Sequence, residues 1–151
     1  MSYISEILKD RDKKVALGVK ALKDKEFDSI IVRGVSGMII GTSLALKLKK
    51  NLVIIRKEKS IHSGQEVEFA IQPKKCVFVD DLVCSGETFR EVKSKLDELI
   101  GICPRPIIIG VYLENPVQSN EWQKTISGKI LFIIQQEKKN NRYVNTICYE
   151  K

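Results

Sequence analysis

The chain of 151 residues is 43% hydrophobic and 30% charged, a globular composition that excludes a mainly disordered or fibrous protein. Lys and Arg number 26 against 19 Asp and Glu, and the net charge of +7 predicts attraction to anions such as nucleic acid or phosphorylated metabolites. No apolar run approaches the roughly 18–20 residues of a membrane span, and the N-terminal segment is too charged for a signal peptide, so we expect no membrane association.

The four cysteines, Cys76, Cys84, Cys103 and Cys148, are scattered along the chain. Neither a CxxC pair nor a cluster of Cys and His occurs, so we expect no zinc site. Scattered thiols suit a reducing compartment, where they pack as small hydrophobic residues. The sequence therefore predicts a cytoplasmic protein.

The first part of the chain alternates helical and strand patterns. Apolar residues recur at helical spacing across residues 3–24, which predicts a helix, and the β-branched run at residues 29–32 predicts a buried strand that Gly34 ends. Residues 38–49 have the composition of a well-buried helix, and residues 52–55 form a second apolar run. This run predicts a second buried strand.

The alternation continues after a polar stretch, residues 57–74, in which the period-two pattern of Val67, Phe69 and Ile71 predicts one half-exposed arm of a hairpin. The remaining predicted elements are a strand at 76–79, a helix at 87–100 and strands at 106–112, 129–134 and 142–149. Strands alternating with helices predict an α/β fold, a parallel sheet with helices on both faces. Ligands of such sheets bind at the carboxyl ends of the strands.

The segment at residues 76–88, CVFVDDLVCSGET, carries the strongest functional signal. Asp80 and Asp81 end an apolar strand, which places two carboxylates at the ligand-binding edge of the sheet. The turn that follows offers hydroxyls and free backbone N–H groups at a helix N-terminus, an arrangement that favours a phosphate. The alternative is structural, with Ser85 or Thr88 capping the helix and the aspartates solvated in a turn.

Residues 77–88 resemble the phosphoribosyl pyrophosphate (PRPP) signature of type I phosphoribosyltransferases, with mild departures at Cys84 and Glu87. The resemblance implies that Asp80 and Asp81 contact the ribose hydroxyls of PRPP, directly or through Mg²⁺, so that they would hold the metal indirectly, through those hydroxyls or water. It also implies that the following loop binds the 5′-phosphate, largely through backbone amides. The residues of that loop are Cys84, Ser85, Gly86, Glu87 and Thr88.

The turn after the first strand is similar to the family's pyrophosphate loop in its adenine and xanthine-guanine members. It consists of Arg33, Gly34, Val35, Ser36 and Gly37. The glycines permit close backbone approach, and Arg33 supplies positive charge. The resemblance assigns the first four of these residues to substrate binding, whereas the pattern alone also suits an ordinary structural turn.

The segment at residues 56–64, RKEKSIHSG, resembles the start of the mobile catalytic loop of orotate members. The resemblance implies that Lys57 reaches PRPP and that His62 is the loop histidine. Ser60 stands where orotate members have a catalytic Lys. A surface lysine and an exposed loop histidine are the structural alternatives.

The resemblance covers about residues 27–113 of a single predicted domain, 1–151, and leaves residues 114–151 unmatched, so we expect a small or reduced hood. It implies transfer of the phosphoribosyl group from PRPP to a nucleobase with release of pyrophosphate, in nucleotide salvage, by a homodimer. A purine is favoured over orotate.

The alternative is a non-catalytic PRPP-binding regulator that binds nucleic acid; since no DNA-binding module is evident, we do not expect nucleic acid as a partner. Tyr112 and Trp122 suit either base stacking or packing.

Overall fold

The computed structural model describes residues 3–59, 61–62, 64–81, 86–99, 101–102, 104–113, 132–139 and 142–148. The helices are α1 (Tyr3–Lys9), α2 (Arg11–Leu22), α3 (Gly34–Leu48) and α4 (Glu87–Asp97). The strands are β1 (Ser29–Arg33), β2 (Asn51–Ile55), β3 (Val67–Phe69), β4 (Lys75–Asp80), β5 (Ile107–Leu113), β6 (Phe132–Lys139) and β7 (Arg142–Cys148). Within these ranges no helix is long and apolar enough to cross a membrane.

The described strands form one sheet in the order β3-β2-β1-β4-β5-β6-β7. Strands β2, β1, β4, β5 and β6 run parallel to one another. The edge strands β3 and β7 are antiparallel to their neighbours. The predicted α/β class with a parallel sheet is confirmed, and the carboxyl ends of β1 and β4 lie next to each other at its centre.

The central strands form because both of their faces are covered by helices. In β1, Ile31 packs in the cluster that contains α4, whereas Ile30 and Val32 pack in the cluster that contains α2 and α3. On its inner side α4 places Phe89 and Val92, together with Leu96 one turn later, against the sheet. Helices therefore cover both faces of the sheet, as predicted.

The N-terminal helical segment is divided, which corrects the prediction of one helix over residues 3–24. Asp10 leaves the helical conformation, with φ −110° and ψ 14°, between α1 and α2. Its carbonyl oxygen accepts a hydrogen bond of 3.0 Å from the backbone N–H of Lys14 and so begins α2. Asp has a low propensity for a helix interior, which favours the break, and the Asp10 side chain makes no capping hydrogen bond to the first turn of α2.

Other boundaries differ by a few residues from those predicted. Helix α4 ends at Asp97, and β3 ends at Phe69, so that Ile71 lies beyond the strand and is exposed. Strand β6 extends to Lys139, and the predicted start of that strand at residues 129–131 lies outside the described residues. The hairpin arm after β2 is confirmed, because β3 pairs with β2 in antiparallel register.

Candidate active site

Two buried carboxylates stand at the carboxyl end of β4. Asp80 and Asp81 have exposed fractions of only 7% and 8%. The backbone N–H of Asp81 donates a hydrogen bond of 2.9 Å to Oδ1 of Asp80, which helps to hold that carboxylate in place. Burying carboxylates costs free energy unless charged or hydrogen-bonding groups compensate. The alternative that these aspartates are solvated turn residues is therefore wrong.

The end of β1 lies level with the acidic pair. Val32 is in register with Val79, so Arg33 and Asp80 follow at the ends of adjacent strands, which are roughly 4.8 Å apart. Arg33 is still extended, with φ −142° and ψ 137°, and Gly34 has φ +74°. Only glycine adopts this left-handed conformation at low cost, and it turns the chain within one residue.

Helix α3 consequently begins at Gly34, which corrects the prediction of a loop before a helix at residue 38. Val35 and Ser36 lie in the first helical turn, and Val35 is 60% exposed. The first N–H groups of a helix have no partner within the helix, and the helix dipole favours an anion there. The segment therefore keeps a physical basis for binding phosphate, in the form of a helix N-terminus.

Gly37 brings the start of α3 into contact with the end of β4. A Cβ atom at this position would lie 2.9 Å from the carbonyl oxygen of Val79 and 3.4 Å from Oδ1 of Asp80. The first distance is shorter than any normal contact, so a side chain would force the helix and the strand apart. Gly37 thus packs the start of α3 against the strand that carries the acidic pair, and the close backbone approach to pyrophosphate expected for this loop stays a prediction.

The guanidinium of Arg33 forms an ion pair with Glu91, a residue that no sequence motif marks. Its Nη2 lies 2.6 Å from Oε2 of Glu91 on α4, and the Arg33 side chain is only 10% exposed. The second terminal nitrogen, Nη1, is buried and has no hydrogen-bond partner among the described residues. Glu91 precedes the buried Val92 and follows the exposed Arg90, so nothing in the local pattern distinguishes it from a solvated residue.

The predicted 5′-phosphate loop is described only in part. Cys84 and Ser85 lie outside the described residues. Gly86 has φ +75° and immediately precedes α4, which has no side-chain cap at its N-terminus. Glu87 and Thr88 are exposed in the first turn of that helix. Thr88 therefore does not cap the helix, and the roles assigned to this loop remain predictions.

Lys57 and His62 lie in the connection between β2 and β3, and both are exposed. Because β1 separates β2 from β4, the end of β2 is two strand spacings, roughly 10 Å, from the acidic pair. Ser60 lies outside the described residues. Lys57 and His62 thus lie in a connection at the same edge of the sheet as the acidic pair, and their catalytic roles remain predictions.

Glu66 and Lys95 form an ion pair on the α4 side of the sheet, with Nζ of Lys95 donating to Oε2 of Glu66 at 2.5 Å. This hydrogen bond lowers the pKa of Glu66, and the positive charges of Lys59 and Arg33 add to the effect. A groove of about 380 Å³ beside this pair is lined by residues that include Val67 and Lys95. Its described lining contains none of the residues predicted to bind substrate.

Tyr112 belongs to the core. It is 1% exposed, and its ring lies beside Gly18 of α2, where an added Cβ would be 3.2 Å from Cε1 of the tyrosine. Of the two roles left open by the sequence, packing is therefore the correct one for Tyr112. Trp122 lies outside the described residues.

The acidic pair fits Mg²⁺ of the kind that binds together with a phosphorylated substrate. Within the described part of the chain, no group of three or more His, Cys, Asp and Glu side chains could hold a metal ion. Asp80 and Asp81 supply the oxygen ligands that Mg²⁺ prefers, and this ion commonly uses one or two carboxylates with substrate phosphates and water. These residues therefore suit indirect or shared coordination, not a cage made of protein alone.

Comparison with known proteins identifies relatives of two catalytic kinds. No protein-family model matches the chain. It is 34% identical over 118 residues to an adenine phosphoribosyltransferase from Halothermothrix orenii, covering 65% of this chain and 69% of that protein. It is 35% identical over 79 residues to an orotate phosphoribosyltransferase from Archaeoglobus fulgidus, covering 51% of this chain and 44% of that protein.

A further relative is the transcriptional regulator GfcR from Methanocaldococcus jannaschii, 29% identical over 117 residues that cover 72% of this chain and half of that protein. The chain thus spans between 44% and 69% of the length of these relatives. The crystal structure of adenine phosphoribosyltransferase from Thermoanaerobacter pseudethanolicus shares the fold, with a TM-score of 0.60 at 22% identity over 85% of this chain and 83% of that one. The sequence match to the Halothermothrix enzyme, together with this shared fold, shows that the chain belongs to the type I phosphoribosyltransferase family.

Proposed function

We propose that this protein transfers the phosphoribosyl group of PRPP to a ring nitrogen of a nucleobase and releases pyrophosphate. The observation that carries the proposal is the arrangement at the centre of the sheet edge. There the buried pair Asp80 and Asp81 lies level with Arg33, and Gly37 lets the N-terminus of α3 pack against the same point. This combination provides acceptors for sugar hydroxyls next to donors for phosphate oxygens.

The acidic pair would hold the ribose. Two carboxylates accept hydrogen bonds from two neighbouring hydroxyls, and their burial keeps them in place before substrate arrives. During transfer the bond from C1′ to the pyrophosphate oxygen breaks, a bond from C1′ to the base nitrogen forms, and the proton of that nitrogen leaves. The ring becomes positively charged in an oxocarbenium-like transition state, and nearby carboxylates stabilise that charge.

The leaving group would be bound at the start of α3. The pyrophosphate gains negative charge as the bond to C1′ breaks. Arg33 and the N–H groups of the first turn of α3, which have no partner within the helix, are fixed donors at that edge. The backbone amides around Gly86 would hold the 5′-phosphate at the N-terminus of α4, and Lys57 and His62 would approach from the connection after β2.

Mg²⁺, when bound, would neutralise charge on the pyrophosphate, and Asp80 and Asp81 would hold it through the ribose hydroxyls or water. We favour a purine as the acceptor base, because the Asp-Asp-Leu and Arg-Gly elements resemble purine members. Orotate is the second candidate, supported by the match to the Archaeoglobus enzyme.

The test measures pyrophosphate release from PRPP and Mg²⁺ with adenine, hypoxanthine, guanine and orotate in turn. We expect release that depends on one base or one class of base, and a loss of at least about 100-fold in the double variant Asp80→Asn/Asp81→Asn. The variant Asp97→Asn/Glu98→Gln removes the same two charges from the exposed end of α4 and should keep full activity.

A parallel melting experiment separates catalysis from binding. At 100 times its Kd a ligand stabilises a protein by about 2.7 kcal/mol, so saturating PRPP should raise the Tm by roughly 5–10 °C. A rise in Tm without pyrophosphate release for any base would favour the PRPP-binding regulator. If PRPP raises the Tm in no case and no base supports pyrophosphate release, the assignment of PRPP as the ligand is wrong.

A further inference from the structure

The ion pair between Arg33 and Glu91 uses only one terminal nitrogen of a mostly buried guanidinium. Arg33 is 10% exposed while Glu91 is 48% exposed, so a mostly buried guanidinium contacts a half-exposed carboxylate. The contact of 2.6 Å uses Nη2, and Nη1 is left buried without a partner in the described part of the chain. Burying a charged N–H group without an acceptor costs free energy of folding. This cost indicates that a bound ligand supplies an acceptor for Nη1 when the protein functions.

Glu91 is the carboxylate that forms the ion pair with Arg33. Glu66, whose pKa the charge of Arg33 also lowers, is hydrogen-bonded at 2.5 Å by Lys95, which balances its charge. Arg33 contributes to the low pKa of Glu66 only as a more distant positive charge, after the hydrogen bond from Lys95. Removing Glu91 would therefore leave the guanidinium without the carboxylate with which it forms its ion pair.

The place of Glu91 on α4 links two parts of the proposed site. Glu91 follows Glu87, the first residue of α4, by four positions, so the two lie on the same side of the helix one turn apart. The start of α4 is where the 5′-phosphate is proposed to bind. A helix turn is rigid, so the contact from Glu91 sets Arg33 at a fixed position relative to that phosphate subsite.

We propose that Glu91 is a positioning residue that fixes the plane of the Arg33 guanidinium, so that Nη1 is presented to an oxygen of the pyrophosphate group. This inference rests on the proposed function, because it takes PRPP as the ligand. A guanidinium is planar with donors on both edges, so holding one edge orients the other. Fixing it before substrate arrives reduces the ordering that binding requires.

A competing role for Glu91 predicts the opposite effect on ligand binding. If Glu91 competed with pyrophosphate for Arg33, its removal would tighten binding. The measurement is calorimetric titration of PRPP with Mg²⁺, and of inorganic pyrophosphate with Mg²⁺, into the wild type and the variants Glu91→Gln and Glu91→Asp. Asp97→Asn breaks an exposed ion pair of 2.9 Å with Lys93 on the same helix and is the matched control.

We expect Glu91→Gln to weaken binding of both ligands by about threefold to thirtyfold, which lies within the coupling measured between contacting residues. Glu91→Asp should recover part of the loss, and Asp97→Asn should bind as the wild type does. In steady state the KM for PRPP should rise more than kcat falls, while the KM for the base stays constant. The unliganded Glu91→Gln variant should melt below the Asp97→Asn control, because it leaves a mostly buried guanidinium without its charged partner, so binding is compared at a temperature at which both variants are folded.

The decisive comparison uses Arg33→Lys, which keeps the charge and lacks the planar fork. In that background Glu91→Gln should have no further effect on PRPP binding. An equal loss in both backgrounds would overturn the inference, as would unchanged or tighter binding by Glu91→Gln alone. If the wild type itself binds no PRPP, the proposed function falls and takes this inference with it, an outcome distinct from a wild type that binds and a Glu91 variant that binds equally well.

Discussion

The contact at Gly37 permits a quantitative prediction for the variant Gly37→Ala. The new Cβ would lie 2.9 Å from the carbonyl oxygen of Val79, and ordinary contacts begin near 3.4 Å, so the start of α3 must move by about 0.5 Å. Such overpacking costs roughly 1–3 kcal/mol. Alanine recovers up to about 1 kcal/mol, because it favours the helix over glycine. The net cost is therefore about 1 kcal/mol, or a decrease in Tm of about 2–4 °C.

The functional effect of Gly37→Ala should exceed this loss of stability, because the displaced turn is the one that faces the acidic pair. A misplacement of about 1 Å can cost about 100-fold in rate, so a shift of half that size should lower kcat/KM for PRPP by about tenfold. The assay is pyrophosphate release at saturating base, with melting curves on the same preparations.

Gly18→Ala is the matched control for this experiment. It also adds a methyl group to a helical glycine in a tight contact, with Cβ 2.7 Å from Cδ2 of Leu44, and that contact involves a movable side chain in the core beneath α2. It should lower the Tm by a similar amount and leave kcat/KM unchanged. Wild-type kcat/KM in Gly37→Ala, or an equal loss in Gly18→Ala, would refute the reasoning.

Two further predictions concern the opposite end of the sheet. Asp28 accepts hydrogen bonds from the N–H groups of Lys74 (3.0 Å) and Lys75 (2.6 Å) and from the hydroxyl of Ser29 (2.5 Å). Burial, the largest single influence, raises the pKa of Asp28, but these bonds together outweigh it and leave the pKa lowered. The stabilisation is thus present above the unfolded-state pKa and is lost as pH falls through the lower folded-state pKa. Asp28→Asn should cost about 1–3 kcal/mol at pH 7, and its difference in Tm from the wild type should shrink towards pH 3; a difference that stays constant would contradict this. Burial, with the charge of Asp28 adding to it, raises the pKa of Cys76 to about 12. Native protein at pH 8 should therefore leave this thiol unlabelled by iodoacetamide, as read by peptide mass spectrometry, and rapid labelling without unfolding would disprove it.

The central strands were predictable because burial on both faces leaves a simple pattern. Ile30, Ile31 and Val32 are all fully buried, and the run from Val77 to Val79 is equally buried. A parallel strand between two helical layers needs no polar alternation, so its signal is a continuous apolar run. The acidic pair was found for the same reason, because it follows such a run directly.

The start of α3 was mispredicted because its first turn carries no large apolar side chain that packs in the core. The apolar pattern of this helix begins at Met38, while the helix itself begins at Gly34 with an exposed Val35. The buried residue of this turn, Gly37, has no side chain, so hydrophobic periodicity does not mark the turn. The left-handed conformation of Gly34, which sets the boundary, becomes visible only with the backbone angles.

The partner of Arg33 was not predictable from the sequence. Glu91 lies in another helix, and the ion pair depends on how α4 packs over the end of β1. The pattern of α4 identifies the residues that face the sheet, such as Phe89 and Val92. It gives no means of choosing, among the charged residues between them, the one that meets a particular arginine.

The most direct test of the account is calorimetric titration of PRPP with Mg²⁺ into the wild type and into Asp80→Asn/Asp81→Asn, with intact folding checked by circular dichroism. We expect saturable binding by the wild type and the loss of nearly all affinity in the folded double variant. Equal affinity in the two proteins would contradict it, because the two buried carboxylates at the end of β4 would then have no part in holding the sugar.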